Sequence, residues 1–357
     1  MTLKLTTAGE SHGPALLAIV TGLPAGLVLD REAIDRDLHR RQAGYGRSPR
    51  QQIETDRVEV LAGLRHGRTL GTPLALLVAN RDHKNWTWGM SPWPPEGQPA
   101  GKGTRPVTVP RPGHADLAGV MKYGLDDVRD ALERASARHT AVVVAAGAVA
   151  KALLREIGVE VDGSVTGLEG LPQRVDEARR DRDTIGGVVE VRARGVPPGL
   201  GSYATRDDRL DARFAAALMG IQAVKGVEIG DGFALAGMRG SEAHDEVVPG
   251  LHRETNRAGG IEAGVSNGEE VVARAAMKPL PTLMRPLKTV DLATGEPAEA
   301  LVERSDTAAV EALAVVAEAS VAFELARAAR EKFGGDAIGD FVGAHRAYLE
   351  RIDWTPR

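Results

Sequence analysis

Residues 140–155 read TAVVVAAGAVAKALLR. A helix of this sequence is apolar nearly all round, and such a helix is buried inside a protein. The run from Ala141 to Ala150 is far shorter than the ~20 residues needed to cross a bilayer, which leaves a protein core as its place. Upstream, Asp127 or Asp130 can cap the start of the helix, which then takes in Arg134 and Arg138 and continues to about Ile157. A second alanine-rich helix is expected from Thr307 to Phe333, where Gly334 can end it.

Around these two helices the pattern is mainly one of strands. Leu3 to Thr7, Leu16 to Val20, Leu27 to Leu29, Ile53 to Leu61, Thr72 to Asn80, Val188 to Ala193 and Glu270 to Ala276 alternate or are densely apolar, as strands are. Shorter helices are expected from an Asp30 cap to about Arg41, over Asp116 to Tyr123 and over Leu210 to Met219. The regular alternation of strand and helix that builds parallel sheets is missing, so the fold class is read as α+β with mostly antiparallel strands. Residues 1–357 are expected to form one unit. Its two halves share a theme of strands, a Gly-rich loop and a long alanine-rich helix, with no short-period repeat.

Composition narrows the function classes. A hydrophobic fraction of 43% and a charged fraction of 26% exclude disorder, collagen and coiled-coil arrays. Aromatic residues are only 4%, so the core is built from Ala, Val, Leu and Ile. The 42 glycines and 20 prolines predict many turns and loops, where sites tend to sit. The absence of cysteine excludes a disulfide scaffold, a cysteine-ligated metal and a thiolate nucleophile, and suits a reducing cytoplasm. Met1 to Gly9 lacks the apolar region of a signal peptide, and the chain is expected to be soluble. A formal net charge of −4 gives no field for nucleic acid or an anionic membrane, so any affinity for anions is local.

Locally, the cations are clustered. Arg41, Arg47 and Arg50 stand at a helix end and in the loop after it, where guanidinium forks can clamp carboxylate or phosphate; a solvated charged face is the plainer reading. The Trp-, Pro- and Gly-rich stretch from Arg81 to Gly113 is too long for an ordinary loop and is read as functional. It runs into Arg111-Pro112-Gly113-His114-Ala115-Asp116, which joins a guanidinium, an imidazole and a carboxylate, either as an acid–base loop or as a structural turn in which Asp116 holds His114. Arg134 and Arg138 would share one helix face with Ser136 between them, or Glu133 would pair with one of them in an intrahelical salt bridge. Gly9-Glu10-Ser11-His12-Gly13 brackets a histidine after a strand, as an active site does, although a lone histidine is more often structural. Lys278-Pro279-Leu280-Pro281-Thr282 is a rigid extended segment with one cation, equally readable as an edge-strand exit.

Several familiar signatures are absent. Gly97 to Thr104 fails the phosphate-loop spacing, no G-x-G-x-x-G joins a strand to a helix, and neither H-E-x-x-H nor G-x-S-x-G occurs. No metal site is expected.

Taken in order and spacing, Gly9-Glu10-Ser11-His12-Gly13, Arg47 with Arg50, Arg111 to Asp116, Glu133-Arg134 to Arg138, Ser266-Asn267-Gly268, Lys278-Pro279 and Arg304-Ser305-Asp306 resemble the chorismate synthase family. The resemblance runs over nearly the whole chain. It implies long helices packed between antiparallel sheets as a β-α-β sandwich, a homotetramer, and reduced FMN as cofactor. It also implies loss of phosphate and a ring hydrogen from 5-enolpyruvylshikimate 3-phosphate in an anti-1,4 elimination that gives chorismate. A substrate with two carboxylates and a phosphate, beside a cofactor with a further phosphate, accounts for local arginines in a net-acidic chain.

Carried over by motif, the resemblance makes His12, His114 and Asp306 catalytic. His12 protonates the leaving phosphate, His114 the reduced flavin, and Asp306 helps remove the ring proton. Ser11, Arg41, Arg47, Arg50, Arg111, Ser136 and Arg138 would bind substrate. Arg134, Ala135, Ser136, Gln222, Ala223, Ala263, Lys278, Pro279, Leu280, Pro281, Thr282 and Arg304 would bind FMN. Ala135 and Ala263 depart from the commoner Ser and Gly, and Pro49 stiffens the loop between Arg47 and Arg50. Reduction of FMN by NADPH in the same protein and reliance on a separate flavin reductase both remain open, as do another flavin-dependent phosphate-eliminating lyase and, from a different class, an Arg-rich RNA-binding protein with steeply salt-dependent binding.

Overall fold

The computed structural model describes residues 2–47, 55–301 and 306–354. Arg50 and Arg304 lie outside them. Two four-stranded antiparallel sheets form the outer layers. In the first, the spatial order is Lys4–Ala8, Ala15–Thr21, Leu74–Ala79, Glu59–Ala62. In the second it is Val224–Ile229, Val271–Met277, Gly187–Arg194, Glu160–Val165. Register follows the apolar alternation: Leu16, Ala18 and Val20 lie opposite Val78, Leu76 and Leu74, and all six are buried. In the second sheet, Val189, Val191 and Ala193 face Ala275, Ala273 and Val271 in the same way.

Nine helices occur among the described residues: α1 (Arg31–Gln42), α2 (Asp116–Tyr123), α3 (Val128–Ala135), α4 (Thr140–Arg155), α5 (Leu171–Arg180), α6 (Leu210–Met219), α7 (Gly240–Ala243), α8 (Val310–Phe333) and α9 (Ile338–Ile352). The all-round apolar α4 and α8 pack on each other between the sheets, α4 against the first and α8 against the second. This is the α+β arrangement of helices between antiparallel sheets, with one hydrophobic core running through it. At the crossing, a Cβ built on Gly147 would lie 2.5 Å from Ala319 Cα, so only glycine lets the helices come this close. The seam also carries charge. Glu318 of α8 accepts from Lys151 of α4, from both terminal nitrogens of Arg40 on α1 at 2.9 and 2.7 Å, and from the Gly163 N–H at 2.9 Å, while Lys151 also pairs with Asp37. Two cations against two carboxylates leave the cluster neutral, as burial demands.

Several local expectations hold. Asp30 caps α1 by accepting the Glu32 N–H, Asp127 caps α3 by accepting from Arg129, and Gly334 follows the end of α8. Others are corrected. The helix expected from Asp127 to about Ile157 is broken at Ser136, which is extended at φ −61°, ψ 141° and caps a 3-10 turn over Ala137–His139 by accepting the Arg138 N–H. A serine side chain that bonds to nearby backbone competes with the helix, and here it wins. Arg134 and Arg138 therefore do not share a helix face. Between residues 55 and 58 the chain does not join a sheet: side chains take its N–H groups, Gln42 that of Asp56 and Asp35 that of Val58. Of the strand expected over Ile53 to Leu61, Ile53 and Glu54 lie outside the described residues, and among the described ones it is realised as Glu59–Ala62. Helix α9 and strands Glu160–Val165 and Val224–Ile229 were not anticipated.

The crossing yields a prediction with a definite sign. Alanine favours an exposed helix over glycine by about 1 kcal/mol, yet Gly147→Ala must push α4 and α8 apart, an overpacking cost of about 1–3 kcal/mol. A lower melting temperature is the expected outcome of differential scanning fluorimetry, and a melting point at or above that of the parent would refute the close approach.

Candidate active site

The loop after the first strand turns sharply at Gly9, where φ is +110° and a Cβ would meet the Ala15 carbonyl oxygen at 2.5 Å. That turn delivers Ser11 and His12, both buried, against α3: the Ser11 N–H donates to the Glu133 carbonyl at 3.1 Å. The Glu133 carboxylate accepts the His12 backbone N–H at 2.8 Å and the ring Nδ1 at 2.8 Å. Trp86, from the long Arg81 to Gly113 segment, stacks on the imidazole with centroids 4.1 Å apart. The segment thus reaches the candidate site through Trp86. Glu133 pairs with neither Arg134 nor Arg138; the nearest guanidinium is Arg129, at 3.8 Å.

Three further carboxylates hold cations around the same space. Asp56, fully buried, binds Arg138 at 2.7 Å and Arg41 at 3.3 Å. Arg41 also donates to Thr140 Oγ1 at 2.8 Å and Arg138 to Asn80 Oδ1 at 2.9 Å. Arg47, beyond the end of α1, meets Asp306, just before α8, at 3.0 Å. Asp116 at the start of α2 binds Arg111 Nε at 2.9 Å and also His114 Nδ1, so His114 is both held by Asp116 and part of the wall. Arg111 reaches Thr282 Oγ1 at 3.2 Å, and Lys278 donates to the Gly113 carbonyl at 2.5 Å, which ties the Lys278 to Thr282 segment to the histidine loop.

These residues surround one cleft of about 610 Å³. Of the sites expected from the sequence, Ser11, His12, Arg41, Arg47, Arg111, His114, Ala135, Ser136, Arg138 and Asp306 line it, and so do Gln222, Ala223, Lys278, Leu280, Pro281 and Thr282. Three described positions do not. Arg134 turns away to the Gly9 and Thr7 carbonyls at 3.2 Å, Pro279 is outside the lining, and Ala263 sits in the Ile261–Ser266 hairpin with φ +51°. Lys225, Asp56, Asn80, Glu133 and Trp86 are additions. Asp56 has no motif around it, and Glu133 pointed only to pairing along its own helix; their partners come from distant parts of the chain.

Cations outnumber carboxylates on the cleft wall, where Asp306 is the acid facing Arg41, Arg47, Arg111, Arg138, Lys225 and Lys278. Burial pushes the Arg41 guanidinium down to about 9, with Arg138 and Arg47 repelling it and Asp56 opposing the shift, so it keeps its charge at neutral pH. Burial also lowers Arg47, against the attraction of Asp306 and Glu311. Burial would raise the Asp116 carboxyl, but hydrogen bonds from His114 and Arg111 outweigh it and hold the group well below the usual carboxylate range. His139, whose Nδ1 lies 3.0 Å from the Ser136 carbonyl, is lowered by burial and by Arg134 and Arg41. Arg47 Nε and Gln222 Oε1 are buried without a hydrogen-bond partner among the described residues, so the wall has polar capacity that a ligand can satisfy. No group of residues suited to a metal ion occurs among the described residues. The arrangement suits a small polyanion beside two imidazoles placed for proton transfer.

A protein-family model described as Chorismate synthase matches residues 3–329. Curated relatives named chorismate synthase include those of Desulforudis audaxviator, 54% identical over 98% of this chain and 98% of the relative, and Rubrobacter xylanophilus, 52% identical over 100% and 99%. A third, from Symbiobacterium thermophilum, is 51% identical over 98% and 99%. A crystal structure of chorismate synthase superposes with a TM-score of 0.77 at 35% identity, covering 99% of this chain and 98% of that one.

Two predictions follow from the charges. Asp56→Ala leaves Arg41 and Arg138 buried without their shared carboxylate, a loss of about 3–5 kcal/mol; urea unfolding at pH 7 measures it, and a loss below about 1 kcal/mol would contradict the pairing. Burial would also raise Asp82, but hydrogen bonds from Asn85, Trp86 and Lys102 outweigh it and hold the carboxyl at about 2. A carboxyl depressed in the folded state stabilises above its unfolded value of about 3.9, and that contribution is lost as pH falls through the folded value. Stability is therefore expected to decline between about pH 4 and 2, less steeply in Asp82→Asn, and identical acid profiles for the two proteins would count against the anchor.

Proposed function

The chain belongs to the chorismate synthase family of lyases, and from that premise we propose that it converts 5-enolpyruvylshikimate 3-phosphate to chorismate, eliminating phosphate and a ring hydrogen in the anti-1,4 sense with reduced FMN as cofactor. The observation that carries this reading is the cationic cleft itself, in which Arg41, Arg47, Arg111 and Arg138 converge with His12 and His114. A ligand with two carboxylates and a phosphate matches that excess of guanidinium groups, each able to grip an anion through two parallel hydrogen bonds.

The residues present fit a flavin as well. The cleft volume of about 610 Å³ falls in the range of small-molecule and cofactor sites, and the orphaned Gln222 Oε1 can accept from a ring N–H. Gln222, Ala223 and the Lys278 to Thr282 segment would hold the cofactor from one side and Ala135 with Ser136 from the other. Arg134 would contribute through its backbone. Ala263 is outside the cleft of its own chain, so its assignment depends on the homotetramer. Pro279, outside the lining, would act by stiffening the segment. Arg50 and Arg304 keep the roles implied by their motifs. Bound reduced FMN supplies transient electron density to the reacting substrate, with no net redox change.

In this reading the protein's own groups manage anions and protons. The arginines orient the substrate, and Ser11 and Ser136, whose hydroxyls are 3.3 Å apart, approach it from the His12 side. His12 gives a proton to the departing phosphate, and His114 holds one at the cofactor end. Asp306, paired with Arg47, is the carboxylate on the cleft wall and helps remove the ring proton. Location in the cytoplasm and the source of reducing equivalents, NADPH directly or a separate flavin reductase, belong to the same proposal.

The test is an anaerobic assay with 5-enolpyruvylshikimate 3-phosphate and FMN reduced by dithionite, following chorismate absorbance and phosphate together. Stoichiometric product is expected, and folded, FMN-binding protein that yields none would refute the reaction. Repeating the assay with NADPH in place of dithionite identifies the reductant. His12→Ala and His114→Ala are each expected to lower turnover by at least ~10²-fold, the scale of general acid–base groups, and unchanged kinetics would remove that residue from the mechanism.

A further inference from the structure

Glu133 is a buried carboxylate in contact with His12 of the proposed machinery. Its side chain is 1% exposed, and it closes on His12 twice: Oε2 is 2.8 Å from the backbone nitrogen and Oε1 is 2.8 Å from ring Nδ1. An ionised carboxylate only accepts hydrogen bonds, and the backbone N–H only donates. The ring nitrogen facing Glu133 is therefore an N–H. The ring plane is set independently by Trp86, stacked at 4.1 Å and 24° to the imidazole, whose own Nε1–H donates to Asp82 at 3.0 Å. Other charged and titratable groups frame the pair from each neighbouring element. On α3, the Arg129 guanidinium lies 5.0 Å from the Trp86 ring and 3.8 Å from Glu133. Lys102 lies 5.8 Å from the same indole and pairs with Asp82, and His83 Nδ1 is 2.9 Å from the His12 carbonyl.

We propose that Glu133 is a positioning residue for His12: it keeps one ring proton on Nδ1 in both the acid and the base form, so that the second proton of the acid form, on Nε2, is the one His12 gives to a ligand in the cleft. The inference rests on His12 acting as the proton donor of the proposed reaction. A neutral imidazole free in water prefers its proton on Nε2, so the buried carboxylate reverses the intrinsic preference, and the indole keeps the ring from turning away from it. The neighbouring Ser11 N–H, donated to the Glu133 carbonyl, fixes the loop to the same residue. Glu133 thus sets the position and tautomer of His12, and Trp86 sets its plane.

Glu133→Gln tests this because it keeps the size and removes one acceptor. Two donors then face one amide oxygen and one amide nitrogen, so either the backbone N–H loses its acceptor or the ring gives up its Nδ1 proton and accepts from the amide instead. Solid-state 15N NMR of the full-length protein labelled at histidine reads the tautomer, with His12 identified by the signals lost in His12→Ala. The parent protein is expected to show His12 protonated at Nδ1, and Glu133→Gln to shift a share of it to Nε2. Turnover in Glu133→Gln is expected to fall about 10²-fold with KM changed by no more than about threefold, since substrate binding is untouched. A parent His12 protonated at Nε2 alone, with no proton on Nδ1, or a Glu133→Gln protein with parental turnover, would overturn the assignment. The tautomer is read without substrate, so protein that shows the Nδ1 proton but makes no chorismate would sink the proposed reaction and leave the positioning role standing.

Discussion

The close approach of α4 and α8 at Gly147 and Ala319 is the contact on which the rest of the architecture depends. Each helix carries one sheet, so their separation sets the distance between the outer layers. Both helices also begin at the cleft: Thr140 lines it where α4 starts, and Ala309, Ala312 and Leu313 line it where α8 starts. Any shift along this seam would therefore move the walls of the site. The neutral cluster of Lys151, Asp37, Arg40 and Glu318 fastens α1 to the same seam, and the end of α1 supplies Arg41. Core packing and the placement of the first arginine are one construction.

Electrostatics governs the site that this packing creates. A chain with a formal charge of −4 keeps a cationic cleft by placing most of the compensating carboxylates behind the cations instead of on the wall. Asp56 stands behind Arg41 and Arg138, Asp116 behind Arg111 and His114, and Glu133 behind His12. Each is buried, so its field acts at low effective dielectric and its geometry is fixed before any ligand arrives. Arg41 and Arg138 are held in place by the one carboxylate of Asp56. A polyanion entering the cleft meets donors that are already oriented, which limits the cost of ordering them on binding.

The long segment from Arg81 to Gly113 shows how a loop joins such a design. Asp82 collects hydrogen bonds from Asn85, Trp86 and Lys102 and so folds the start of the segment back on itself. The indole it anchors becomes a wall of the His12 site. With aromatic residues at 4% of the chain, this one carries a share of the site's rigidity that composition alone would not suggest.

Much of this was legible in the sequence, and what was missed has a common cause. Periodicity and capping belong to neighbours along the chain, so the buried character of 140–155, the Asp30 and Asp127 caps and the helix end at Gly334 could be read directly. The cationic cleft was foreshadowed by clustered arginines, and the resemblance of ordered motifs carried most of the wall residues. The break at Ser136 was not legible, because helix propensity around it is high and the decision lies with a cap and with contacts to Ser11, Asn80 and Asp56. Asp56 and Glu133 acquire their meaning from partners up to 121 residues away, such as His12. By itself the sequence determined which segments had to be buried and where cations cluster along the chain, since both follow from side-chain chemistry and short-range spacing. Only the tertiary structure decided which carboxylate stands behind which cation, because burial makes pairing obligatory without specifying the partner until the chain has closed around it.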